Sequence, residues 1–224
     1  VFFIDPSSHD IGRSNSSAPA AFTPSVRSGI GIDAEDFRLS PTTSSERFSF
    51  HLTRSHPLLL EGYWSLRRRI FCEEQSLFEH SDRDDRDPIA YPIVAIDHHR
   101  PESTDAGPAG VVGVVRILEE EPGVWFGGRL GVAAEHRRQN QIGKGLIWKA
   151  VSTAHGWGAH RFLATVQLQN VRFFRRLHWE SLQELVIRGV PHQLMEADLD
   201  YYRPGRERCP PLHTTASSRL QRAA

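Results

Sequence analysis

The sequence predicts an α+β domain, a single unit with a central mixed, mostly antiparallel β-sheet flanked by helices. Three observations lead there. Short apolar runs of strand length recur from residue 48 to residue 199, with turn residues between them. Helical spacing appears in a few separated stretches and does not alternate one for one with the strands, which argues against a doubly wound parallel sheet. Finally, Leu130-Gly131-Val132-Ala133-Ala134-Glu135-His136-Arg137-Arg138-Gln139-Asn140-Gln141-Ile142-Gly143-Lys144-Gly145-Leu146 passes from an apolar strand through a basic turn into an amphipathic helix.

At 224 residues the chain fits one ordinary domain with disordered ends. The expected boundaries are a disordered segment over 1–46, the domain over 47–203 and a disordered tail over 204–224. Residues 1–46 are rich in Ser, Pro, Thr, Ala and Gly and bury too little apolar surface to offset their ordering entropy. Val1-Phe2-Phe3-Ile4 runs straight into Asp5 and Pro6, too short for a signal-peptide core. Acidic and basic residues balance at 27 each, so no global field recruits nucleic acid or an anionic membrane. Cys72 and Cys209 are far apart and form no metal-spaced or redox pair, which fits a cytoplasmic setting. The histidines, His98-His99 included, lack ligand spacing, so no metal is expected.

In chain order, Phe48-Ser49-Phe50-His51-Leu52 alternates and predicts a first strand. Ser55 is placed to cap a helix with Pro57 in its first turn, running through Tyr63, Leu66, Ile70 and Phe71 to about Phe78. The charge run from Glu79 to Pro88 reads either as a solvated loop or as an acidic lid attracting an amine. Ile93–Ile96 and Val111–Leu118 predict a hairpin across the turn residues from Pro101 to Pro108. Val124–Val132 pairs next through the turn at Pro122-Gly123, and the amphipathic helix follows. Arg161–Leu168 is a further strand, Asn170 to Trp179 a short helix, and two strands close the domain in 181–188 and 192–199.

The turn after Val132 exposes helix N–H groups that lack intrahelical acceptors, at the positive end of the helix dipole. Arg137, Arg138 and Lys144 add charge, while Gly143 and Gly145 carry no Cβ and permit close approach to the backbone. Physically, this is a pyrophosphate site.

This stretch resembles the acyl-CoA segment of the GNAT family of N-acetyltransferases, written Arg/Gln-x-x-Gly-x-Gly/Ala. Arg138 takes the first position, Gln141 replaces the first glycine and Gly143 is the second; Ile142, Lys144 and Gly145 complete the turn. The resemblance covers about 47–203 and implies the GNAT fold, an acyl-CoA co-substrate, most simply acetyl-CoA, and a small-molecule amine acceptor attacking directly in a ternary complex. It implies that Leu130 and Val132 pair their backbone with pantetheine. Gly128 and Gly131 either permit a bulge whose N–H polarises the thioester, or merely relieve crowding.

Asn170-Val171-Arg172-Phe173-Phe174-Arg175-Arg176-Leu177-His178-Trp179 resembles the family's second segment, Asn-x-x-Phe-Tyr-x-x-x-Gly-Phe. Asn170 matches the pantetheine contact, and Phe174 stands where many members protonate the leaving thiolate with Tyr. Phe donates no proton, so His178 is the candidate acid; its alternatives are packing and solvent exposure. No carboxylate lies on Val124–Val132, so Glu119 is the candidate base, with Glu120, Glu121 and Glu135 nearby and turn roles available to each. Arg116 and Arg129, inside apolar strands, call for carboxylates, either internal or on an amino-acid-like substrate. Cys72 fits a helix core and has no evident His partner.

Tyr63–Gln75, Pro92–Ala95, Gly113–Ile117 and Phe173–Trp179 are similar to a bacterial subfamily of acetyltransferases associated with nitrilase-containing gene clusters. Arg67-x-x-x-Phe71, the acidic run and Gly113-Val114-Val115-Arg116 also resemble acyl-homoserine-lactone synthases, which share the fold. The expectation is therefore an N-acetyltransferase, monomeric or homodimeric, without nucleic-acid or membrane partners. The alternatives are an acyl-CoA-binding module without catalysis and a lactone-synthase-like acyltransferase.

Overall fold

The computed structural model describes residues 47–99, 108–138, 140–187 and 189–210. The segment expected over 1–46 lies outside the described residues. Seven strands form one sheet: β1 (Phe48–Leu52), β2 (Tyr91–Asp97), β3 (Val111–Glu121), β4 (Val124–Val132), β5 (Arg161–Gln167), β6 (Trp179–Ile187) and β7 (Val190–Ala197). Their order is β1-β2-β3-β4-β5-β7-β6. Only β4 and β5 run parallel; every other neighbouring pair is antiparallel. Helices lie in the connections from β1 to β2, from β4 to β5 and from β5 to β6, and the β4–β5 crossover is the one that sets its two strands side by side in parallel.

Helix α1 (Pro57–Arg68) packs on one face, and α2 (Asn140–Gly156) and α3 (Val171–Arg175) on the other. α1 begins after His56, whose side chain makes no cap, rather than being capped by Ser55. Pro57 at the first position needs no hydrogen-bonded N–H, so the start is set there. The helix widens into a π-helical turn over Arg69–Glu74 and ends short of the expected Phe78, because Ser76 turns left-handed at φ +51°. Ile70 and Phe71 of that wide turn sit over Gly131, where a Cβ would come within 2.8 Å of Ile70. A π-bulge and a strand glycine thus fit together.

The expected C-terminal tail is not free between 204 and 210. Tyr202 is fully buried, and the Gly205 N–H donates to the Ser152 carbonyl at 2.6 Å. Trp157 Nε1 donates to the Glu207 carbonyl at 2.7 Å, and Lys149 pairs with the Glu207 carboxylate. Backbone meets backbone at Gly156 and Gly205, where a Cβ on Gly156 would lie 2.2 Å from the Gly205 oxygen. Residues 211–224 lie outside the described residues. Cys72 and Cys209 are both free thiols, and no described helix is long and apolar enough to cross a membrane.

Candidate functional site

β4 and β5 pair from Val124↔Arg161 to Gly127↔Ala164 and then part. Beyond that point β4 continues to Val132 with ladder partners, among the described residues, on β3 alone, while β5 keeps only β7, on its other edge, to Gln167. The two strands therefore open a wedge bordered by β4 backbone from Gly128 to Val132. The register Arg116↔Gly128 followed by Val114↔Gly131 sets Arg129 and Leu130 against the single residue Val115. The bulge lies between the two glycines expected to permit it, and its left-handed residue is Arg129, at φ +53°. A non-glycine residue there costs about 1–2 kcal/mol, so something must hold it.

That hold is electrostatic. Arg129 Nη2 donates to the Asp82 carbonyl and to Asp84 Oδ2, each at 3.0 Å. Arg116 Nη1 reaches Asp84 Oδ1 at 2.6 Å and Asp87 Oδ1 at 2.7 Å, and its Nη2 reaches Asp84 Oδ2 at 2.7 Å. Arg67 on α1 binds Asp82 Oδ2 at 2.6 Å, Asp87 Oδ1 at 2.5 Å and the Tyr63 hydroxyl at 2.8 Å. Burial alone would raise the Asp84 and Asp87 pKa values; hydrogen bonds and charge from Arg116 and Arg67 outweigh it and lower both. Burial lowers the Arg129 pKa, and the neighbouring Arg116 and Arg67 lower it further.

The acidic run is a loop with exposed Glu79, His80, Arg83 and Asp85, but it is not solvated throughout. Asp82 and Asp87 are buried anchors that fasten it to the interior. Arg116, expected as a substrate contact if no internal carboxylate appeared, is engaged by internal ones. Arg129 is engaged at Nε and Nη2, but its buried Nη1 has no partner among the described residues.

Past the wedge, Ala134–His136 form a short 3-10 turn that leads towards α2. Leu130 and Val132 point their side chains into the core, so only their backbone faces a ligand. Ile142 is buried against Gly113. The two helix glycines differ. A Cβ on Gly143 would meet only Phe173 Cζ at an ordinary 3.8 Å, whereas one on Gly145 would lie 2.0 Å from the Phe50 ring. Gly145 serves packing on β1 rather than ligand approach. Arg137 is tied to the Val132 carbonyl at 2.9 Å and to Glu74, while Gln141, Arg138 and Lys144 are exposed.

Phe173 brings the start of α3 beside the start of α2. Asn170, just before α3, keeps a buried Nδ2 without a partner among the described residues, a donor suited to a pantetheine carbonyl. With the uncrowded helix start at Gly143 and the β4 edge that β5 leaves unpaired, these residues fit a CoA thioester. Phe174 is fully buried, edge-on to Phe173 at 5.7 Å and to Trp179 at 5.2 Å.

Neither catalytic candidate is brought to the wedge. Glu119 accepts the Gly123 N–H at 2.8 Å and closes the β3–β4 turn, opposite Trp125 and about 13 Å along the strand from the bulge. His178 stacks on Tyr201 at 3.7 Å, beside the far end of β7, and bonds Asp198 through its carbonyl. It occupies the glycine position of the segment pattern with φ +60°, so its conformation is that of a helix stop. Cys72 lies in the π-helical turn, its pKa raised by burial and by Asp82. Two polar residues that the sequence reading passed over, Thr165 and His192, are buried near the wedge, each with an atom that has no partner among the described residues. Their only signal is a polar residue inside a closing strand.

A profile of the acetyltransferase (GNAT) family matches residues 60–179. No curated protein matches the chain by sequence. Among solved structures, a candidate N-acetyltransferase from Lactobacillus plantarum superposes with TM-score 0.57 at 18% identity, covering 68% of this chain and 98% of that one. Escherichia coli ElaA gives 0.53 at 19%, covering 67% and 98%. A CoA-dependent acyl-homoserine lactone synthase, BjaI, solved with SAM and isopentyl-CoA, gives 0.54 at 15%, covering 66% and 79%. At these identities the structural likeness is one of fold. The profile spans more than half of the chain, and with it the wedge, the turn and α2: the chain belongs to the GNAT acetyltransferase family.

Proposed function

We propose that the protein is an acyl-CoA-dependent N-acyltransferase that moves an acyl group, most simply acetyl, to the amine of a small or amino-acid-like acceptor. The observation that carries this reading is the wedge, with a free β4 edge on one side and the orphaned Asn170 amide at its mouth. Pantetheine amides would ladder with Leu130 and Val132, and Asn170 Nδ2 would donate to one of their carbonyls. The start of α2, with no Cβ on Gly143 and with exposed Arg138 and Lys144, would take the pyrophosphate. An N–H at the Arg129–Leu130 bulge would polarise the thioester carbonyl, a contribution of about 3–4 kcal/mol in comparable sites. The amine would attack directly, without an acyl-enzyme. The buried Phe174 leaves the thiolate to depart unassisted or through water, which its pKa of about 8.5 for a free thiol permits. The test is release of free CoA thiol from acetyl-CoA by purified protein with a panel of primary amines. Amine-dependent release supports the reading, and release at the background rate for every amine contradicts it.

One observation favours a second reading. The elements that resemble acyl-homoserine-lactone synthases, Arg67, the acidic run and Arg116, converge in one ion-pair cluster together with Arg129. Stimulation of thiol release by S-adenosylmethionine would favour that reading; indifference to it would remove it.

A further inference from the structure

β5 and β7 pair as Thr165↔Leu194 and Gln167↔His192, with Ala164↔Met195 between core residues. Paired residues share a sheet face and successive residues alternate. Thr165, Gln167 and His192 therefore lie on one face, opposite Ala164 and Met195. The pairs Gly127↔Ala164 and Arg116↔Gly128 make that the Arg116 face, the one covered by α1 and the acidic segment. Thr165 is the first β5 residue past the last β4 pair, level with the bulge. His192 is its diagonal neighbour on β7, at a Cα separation of about 7–8 Å.

Both side chains are almost fully buried, His192 at 0% and Thr165 at 1% exposure, and each carries a polar atom, Nε2 and Oγ1, without a partner among the described residues. A buried polar group left unpaired costs about 1–3 kcal/mol. Arg129 Nη1, also unpartnered, lies on the same face at the bulge itself. The His192 tautomer follows from its other nitrogen. Nδ1 lies 2.7 Å from the Val190 carbonyl, which only accepts, so Nδ1 carries the proton and Nε2 presents a lone pair.

We propose that His192 is the general base of this site: Nε2 takes a proton from the acceptor ammonium, which enters across the Arg116 face beside Thr165. The assignment rests on the acyl-transfer reading. The freed amine lone pair forms the N–C bond at the thioester carbonyl carbon, and the C–S bond breaks with its electrons going to sulfur. The second nitrogen proton neutralises the thiolate, and the imidazolium returns its proton to solvent, so the transfer yields amide, CoA thiol and one proton. Burial lowers the His192 pKa, which keeps the ring neutral and receptive at neutral pH. Its register neighbours Gln167 and Leu185 are uncharged. Charges on the same face are Arg116 and Arg129 with their aspartates, which Arg67 of α1 also binds, Glu196 paired with Arg161, and the exposed Glu180 opposite Glu196.

The test uses the full chain, acetyl-CoA, and two nucleophiles: butylamine, protonated at neutral pH, and hydroxylamine, which is not. His192→Asn keeps a donor for the Val190 carbonyl and removes the base. The expected result is a fall in kcat/KM for butylamine of about 10²–10⁴-fold, a change within about 3-fold for hydroxylamine, and unchanged acetyl-CoA affinity by calorimetry. Equal losses for both nucleophiles, no loss, or a wild type that binds acetyl-CoA yet acylates neither would overturn the role of His192. Absence of acetyl-CoA binding by folded wild type would instead remove the acyl-transfer reading and this role together. Should His192→Asn not fold, imidazole ¹⁵N spectra of the acetyl-CoA-saturated wild type decide. A lone-pair Nε2 signal that moves on adding butylamine supports the assignment, and an unmoved signal overturns it.

Discussion

Arg116 donates charge-assisted bonds to Asp84 and Asp87 from a position without solvent contact; without it Asp84 keeps Arg129 and Asp87 keeps Arg67, but Asp82, Asp84 and Asp87 are left with two guanidiniums for three carboxylates. Arg116→Met should lower stability by about 3–5 kcal/mol, because carboxylates buried without their cation are strongly unfavourable; urea unfolding measures it. The same pairs set a pH dependence. Folded Asp84 and Asp87 have pKa values below their unfolded ones, so their stabilisation is complete above about pH 3.9 and fades as pH falls through the lower folded values. Thermal melts from pH 6 downward should show a drop beginning near pH 4 that Asp87→Asn diminishes. His178→Gly, at φ +60°, should leave acyl transfer within about 2-fold and not reduce stability by more than about 1 kcal/mol, since glycine relieves the backbone while the Tyr201 stack is lost; melts and turnover check it. An arginine within an apolar strand announces a carboxylate, and this much was legible. Which carboxylate was not, because the partners lie 29 to 45 residues away in a run whose charge reads as solvation. His178 was legible in a different sense: the segment pattern has glycine there, and a left-handed backbone is what glycine permits.

At the scale of elements, the two glycines at the start of α2 have opposite jobs. Gly143→Ala should hold or raise stability by about 0.5–1 kcal/mol, as Ala does in helix interiors, because its Cβ meets nothing closer than 3.8 Å. Gly145→Ala should destabilise, since the Phe50 ring sits 2.0 Å from the new methyl position and must give way. Comparing the two melting temperatures checks both. The motif spacing identified both positions but could not separate them, because the difference comes from β1, nearly a hundred residues earlier in the chain. The bulge in β4 was foreseen from Gly128 and Gly131, yet the residue that bends is Arg129. Only the tertiary ion pairs of its side chain make that conformation tenable. The end of the first helix was misplaced for a similar reason: apolar spacing continues to Leu77 and Phe78, but Ser76 turns the chain so that these pack from a loop.

For the whole molecule, the order of strands and helices was readable because turn residues separate the elements and each apolar run has a single period. The sheet order follows from it, as does one parallel contact where a helix crosses over. The wedge is a consequence of that topology: β5 is shared between β4 and β7, and it cannot follow both beyond Ala164. The packing of 204–210 against α2 was not readable. A segment of Pro, Arg and Gly resembles a tail in composition, and its anchors are backbone contacts at Gly156 and Gly205 together with Tyr202. Nor was the His192 side readable, since a lone histidine in a closing strand gains meaning only from the strands beside it.

The central claim is that the wedge and the start of α2 hold an acyl-CoA. Calorimetric titration of the full chain with acetyl-CoA, beside a Gly143→Glu variant, tests it most directly, because that substitution puts bulk and negative charge where the pyrophosphate would lie. The account predicts binding by the wild type and its loss in a variant that keeps the wild-type fold by circular dichroism. Equal binding by both would contradict the placement of the site, and no binding by well-folded wild type would contradict the claim itself.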